Sequence, residues 1–195
     1  MATKLYIFDM GGVVVQNADV FGKIYDYLQV GQDEFHKYSG HSLSLLSDGK
    51  ISVEQFWRLF SQNYGAQISL DLFKEFFHPT LDMEVVNLIA ELKHTARVVC
   101  GTNTIEPHYD YHLAHGEYAV FDAVYASNKI GVSKPRTSFF RYILEKEKIT
   151  AAESCFIDDL RENVEAAKKL GIKGITFTGI EALRTNLFDK CGNWG

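Results

Sequence analysis

Apolar residues recur along the chain in five short runs, residues 5–8, 97–101, 123–125, 155–157 and 174–177. Runs of this length, without polar alternation, suit strands buried on both faces of a sheet. Between the later runs the spacing changes to that of amphipathic helices. Val85, Leu88, Ile89 and Leu92 share one face; so do Phe139, Phe140, Ile143 and Leu144, and so do Val164, Ala167 and Leu170. Gly171 follows the last set as a helix terminator, with Lys168 and Lys169 well placed against the helix dipole. Strands alternating with helices predict an α/β fold with a doubly wound, Rossmann-like parallel sheet.

One interval departs from this rhythm. Between residues 16 and 82 the periodicity is helical and no run reads as a strand. Phe21, Ile24, Tyr25 and Leu28 form one apolar face, Phe56, Trp57 and Phe60 a second, and Leu72, Phe73, Phe76 and Phe77 a third. Ser52 with Gln55 has the spacing of a capping box for the middle helix. The interval is too long for a connection. The expected organisation is a core of residues 1–15 and 83–195, with residues 16–82 as a helical insertion after the first strand. Such an insertion sits over the carboxyl edge of the sheet, where open α/β folds bind ligands.

Composition removes several classes of function. With 195 residues, 46% of them hydrophobic, the chain has enough material for a sizeable core. A net charge of −5 with dispersed Lys and Arg gives no footprint for nucleic acid or an anionic membrane. No apolar run is long enough to span a bilayer. The first residues, MATKLYIFD, lack the pattern of a signal peptide, so a cytoplasmic location is expected. Cys100 and Cys155 lie in strand-like runs and Cys191 near the tail, which suits reduced, mostly buried thiols.

The chemistry gathers where strands end. The first run stops at Asp9, the second at Thr102-Asn103-Thr104 and the fourth at Asp158-Asp159. In a parallel sheet these groups emerge on one edge. Lys134 precedes Pro135, which suits the first position of the next helix. Carboxylates crowded together repel unless a cation holds them, and oxygen ligands suit Mg²⁺. Each residue also has an ordinary reading. Asp9 and the Asp158-Asp159 pair could cap helices, Thr102 could shape a turn, and Lys134 could be solvated. His108, Asp110, His112 and His115 have spacings open to a transition metal, a solvated helix or a place near a substrate mouth. Cys155 and Arg161 have the spacing of a cysteine phosphatase loop, but the two carboxylates between them would repel a phosphate dianion.

FDMGGVV, VVCGTN, Lys134 and FIDDLRENVEAAKKLG, in that order, resemble the four motifs of the haloacid dehalogenase-like superfamily. The short helical insertion is similar to its C1 cap, and DGKISVEQFW looks most similar to bacterial sugar-phosphate phosphatases of the α-glucose-1-phosphate type. The resemblance implies a Mg²⁺-dependent phosphatase acting on a small phosphate ester, most readily a sugar phosphate. It implies Asp9 as nucleophile, Thr102, Asn103 and Lys134 as phosphate-binding groups, and Asp9, the Gly11 carbonyl, Asp159 and Asp158 around the metal. Gly11 departs from the pattern, because the family usually has a general acid there. That departure motivates one rival, a catalytically weak regulatory protein that binds phosphometabolites; a phosphomutase is a further alternative.

Overall fold

A computed structural model describes residues 2–188; Cys191 lies outside the described residues. The chain opens with β1 (Leu5–Phe8) and β2 (Val15–Gln16). Five helices follow: α1 (Phe21–Leu28), α2 (Gln32–Ser39), α3 (Ser42–Ser47), α4 (Val53–Tyr64) and α5 (Leu72–Glu75). The chain returns through β3 (Thr80–Leu81) to α6 (Met83–Leu92), β4 (Arg97–Thr102), α7 (Glu106–Ala114), β5 (Ala123–Ala126) and α8 (Ser127–Ile130). It ends with α9 (Thr137–Glu147), β6 (Ser154–Asp158), α10 (Arg161–Lys168), β7 (Lys173–Thr176) and α11 (Ile180–Phe188).

The main sheet is parallel throughout, in the order β5-β4-β1-β6-β7. Its period of two sends neighbouring residues to opposite faces. Leu5, Ile7, Val99 and Phe156 pack with Phe139, Phe140, Ile143 and Val164 of α9 and α10. Phe8, Val98, Cys100 and Ile157 pack with Val85, Leu88 and Ile89 of α6 and with Leu183 of α11. Both faces are therefore covered, which explains the unbroken apolar runs. Cys100 and Cys155 are buried in this core.

A second apolar cluster lies among α1, α2, α4 and α5, where Ile24, Phe35, Phe56, Phe60 and Phe73 are fully buried. The capping box forms as expected: Gln55 N–H donates to Ser52 Oγ at 3.2 Å, and Ser52 N–H donates to Gln55 Oε1 at 2.8 Å. Two details differ from the sequence reading. The boundaries of the interval do contain strands, because β2 and β3 pair antiparallel into a two-residue ribbon. Two residues are too few to show a period. Pro135 does not begin a helix either. It follows a cis peptide bond in a turn closed by Arg136 N–H on Ser133 O, and α9 starts at Thr137.

Candidate active site

β1 lies between β4 and β6, with Phe8 opposite Cys100 on one side and Ile157 on the other. Their next residues therefore leave the sheet together. Asp9 follows β1, Thr102 closes β4, Asp158 closes β6 and Asp159 comes next. Lys134 enters from the loop between α8 and α9. That loop is tied to the end of β4, since Asn103 Nδ2 donates to Lys134 O at 2.9 Å and Lys134 N–H donates to Asn103 Oδ1 at 2.8 Å. The structure thus brings all these positions to one rim, with the Asn103 side chain holding the lysine loop in place.

Lys134 is 4% exposed, not solvated, and its ammonium spans two carboxylates. Nζ lies 2.9 Å from Asp9 Oδ1 and 2.6 Å from Asp158 Oδ2. Burial opposes its charge, but Asp9 and Asp158 outweigh that and hold the ammonium above its ordinary range. Asp9 Oδ1 also accepts Met10 N–H at 2.7 Å, so both donors meet on one oxygen and leave Oδ2 open. Burial, and after it the repulsion of Asp158, push the Asp9 carboxyl up to about 7 against the pull of Lys134. Asp158 is fully buried and saturated: Leu160 N–H and Asn163 Nδ2 reach Oδ1, while Lys134 and Asn163 reach Oδ2. Asn163, 2% exposed, thereby fixes Asp158. Asp158 also accepts the N–H of Leu160, the residue preceding α10.

Asp9, Asp158 and Asp159 each offer a carboxylate oxygen, all within 4.8 Å of one another. Three such groups against one ammonium leave an excess of negative charge, and burial followed by Asp158 raises the Asp159 carboxyl above its usual range. An all-oxygen donor set with surplus negative charge fits a hard divalent cation such as Mg²⁺. Asp9 and Asp159 have the freer oxygens. Gly11 lines the same cavity, and a Cβ there would meet only Ala18 Cβ, at 3.4 Å. Gly12 is different: its φ is +72° and a Cβ would fall 2.4 Å from Asp159 Oδ2. Backbone and carboxylate approach closely there, which only glycine permits.

Above this rim lies a cavity of about 650 Å³, bounded by the helical insertion. His108 and His112 line it, which places that part of the histidine run at the mouth of the site. Among the described residues only Asp9, Asp158 and Asp159 form a metal-type cluster, and the histidines are not in it. His108 Nε2 bonds to Phe73 O at 3.0 Å, and its ring stacks on Phe77 at 3.7 Å. Burial pulls it down to about 4, so it is neutral. His112 is held through Nδ1 by Glu117. The spacing of His108 and His112 marked one helix face. What the pattern did not disclose was the partner, Phe73 and Phe77, which arrives from the other side of β3.

Residues 6–177 match the family model described as haloacid dehalogenase-like hydrolase. Over 185 residues the chain is 30% identical to the sesquiterpene phosphatase of Aspergillus oryzae, covering 90% of each protein. It is 22% identical over 188 residues to the D-ribitol-5-phosphate phosphatase of Bacteroides thetaiotaomicron, covering 87% of this chain and 89% of that one. A haloacid dehalogenase family enzyme of B. thetaiotaomicron, solved with magnesium and inorganic phosphate, aligns with a TM-score of 0.73 at 22% identity. That alignment covers 90% of this chain and 94% of the other.

Proposed function

This chain belongs to the haloacid dehalogenase-like hydrolase family, and we propose that it is a Mg²⁺-dependent phosphatase using an aspartyl-phosphate on Asp9. The observation that carries the reading is the Asp9 carboxylate, with Oδ1 held by Lys134 and Met10 and Oδ2 open to the cavity. Asp9 attacks phosphorus in line, the P–O bond to the alcohol breaks, and water then hydrolyses the acyl phosphate. Thr102 and Asn103 orient the transferring group, and Lys134 offsets its charge. Asp9 and Asp159, with the Gly11 carbonyl, would hold Mg²⁺, with Asp158 adding its charge nearby while it fixes Lys134. When bound, Mg²⁺ neutralises phosphate oxygens that would otherwise repel the nucleophile.

Residues 16–82 act in this reading as a cap that excludes water and selects the alcohol. The two curated relatives support a small phosphorylated metabolite but differ in its alcohol: a polyol, akin to the expected sugar phosphate, in one and a sesquiterpene in the other. Gly11 favours a second reading, a regulatory phosphate-binding protein, because no side chain stands where a general acid is usual. One experiment separates the two. Hydrolysis of p-nitrophenyl phosphate is expected in Mg²⁺, reversibly lost in EDTA and lost in Asp9→Asn. Phosphate binding without turnover would favour the regulatory reading.

A further inference from the structure

The cavity over Asp9 has two unlike ends. Its floor holds Asp9, Thr102, Lys134 and Asp159; its walls are mainly hydrocarbon. Val20 and Phe21 enter from the start of α1, Leu43 from α3, Phe73 and Phe77 from α5 and its exit, and Ile105 from the turn before α7.

The polar groups on those walls are few and mostly engaged. His108 stacks on Phe77 and meets Phe73 in a T-shaped contact, and its Nε2 is spent on Phe73 O. His112 is anchored by Glu117. Asp19 caps the chain at Phe21 N–H, 2.9 Å away. Ser47 and Asn17 remain. A polyol leaving group needs a donor or acceptor for each hydroxyl it desolvates, since an unpaired buried hydroxyl is costly. Thr104 Oγ1 donates to Ile105 O at 3.4 Å, so Ser47 and Asn17 are fewer partners than the hydroxyls of a polyol require. Among the described residues no Lys or Arg other than Lys134 lines the cavity, so a second phosphate or a carboxylate finds no counter-charge from them.

Resting on the phosphatase reading above, we infer that the substrate is a monophosphate ester of an apolar alcohol, of the alkyl or isoprenoid kind. The reaction is R–O–PO₃²⁻ + H₂O → R–OH + HPO₄²⁻, with R a hydrocarbon chain lying between α1, α3 and α5. A volume of about 650 Å³ lies within the usual range of about 300–1,000 Å³ for small-molecule sites.

The test compares kcat/KM for a series of n-alkyl phosphates from butyl to decyl, for glucose 1-phosphate and ribitol 5-phosphate, and for acetyl phosphate. Acetyl phosphate is too small to reach the walls, so it reads the chemistry at Asp9 alone. Each methylene buried is expected to raise kcat/KM by about fourfold until the cavity is full, with both polyol esters at least tenfold below the best alkyl ester. Phe21→Gln, at a partly exposed position, should flatten that rise with chain length. Turnover of acetyl phosphate with polyol esters preferred, or with no dependence on chain length, overturns the inference and leaves the phosphatase reading standing. No turnover of any ester, acetyl phosphate included, overturns both.

Discussion

A methyl group on Gly12 would land 2.4 Å from Asp159 Oδ2, on a backbone whose φ of +72° already disfavours a side chain. Gly12→Ala should therefore displace Asp159 and weaken Mg²⁺ binding by about 10–100-fold, read by calorimetric titration; unchanged affinity would show that Asp159 does not hold the ion. Gly11 has room, so Gly11→Asp should fold normally. In the proposed mechanism the alcohol leaves without a side-chain acid, so among aryl phosphates of like size and apolarity kcat/KM should fall steeply as the leaving group becomes more basic. A positioned acid is worth about 10²–10⁴-fold, and Gly11→Asp should flatten that slope; a slope already flat in the wild type would mean another group donates the proton. Asp9 carries a pH signature. Its folded carboxyl is raised from 3.8 to about 7, so between those values the native state binds the proton more tightly than the unfolded one. Stability of the metal-free protein should thus decline as pH rises through that window and level off above it. Asp9→Asn should remove this decline when Tm is followed in EDTA from pH 4.5 to 8, and a parallel curve for the variant would contradict it.

The elements differ in how openly they were written. α4 was legible because its capping box and its Phe56, Trp57 and Phe60 face are local features. α2 and α3 were not, since α2 buries only Phe35 and Ser39 and α3 only Ser42 and Leu46. Pro135 misled because a proline suits a helix start and a turn equally well, and the sequence does not say which distant partner braces the turn. That partner comes from α3's end. Asp48 is buried and accepts Ser133 Oγ at 2.8 Å together with Arg136, on either side of Lys134-Pro135. Ser127 Oγ donates to Ser47 O at 2.6 Å beside it. These contacts dock the helical insertion onto α8 and the lysine loop across 80 to 88 residues of chain. Asp48→Ala leaves Ser133 without its acceptor and should cost about 1–3 kcal/mol in chemical unfolding; a loss below a few tenths would show that the contact is not held in solution.

At the scale of the whole molecule, the parallel sheet was readable because helices cover both its faces and its central strands β1, β4 and β6 are almost wholly buried. The rim residues were readable as positions, each at a strand end, but their division of labour was not. Asp158 and Asp159 are adjacent in sequence, yet one is saturated by Lys134, Asn163 and Leu160 N–H while the other faces the cavity. Only the packed structure separates them. The walls were equally hidden, because Phe73 and Phe77 looked like core until α7 brought His108 against them. Under the proposed mechanism, the floor moves a phosphoryl group onto Asp9 and the walls receive the alcohol it releases. The most direct test is acid quenching during turnover in Mg²⁺, followed by mass spectrometry of the intact protein and its peptides. A single phosphoryl adduct on the peptide containing Asp9, absent in Asp9→Asn and in EDTA, is the expected result. Turnover by Asp9→Asn at the wild-type rate, with no adduct on the wild-type protein, would contradict it.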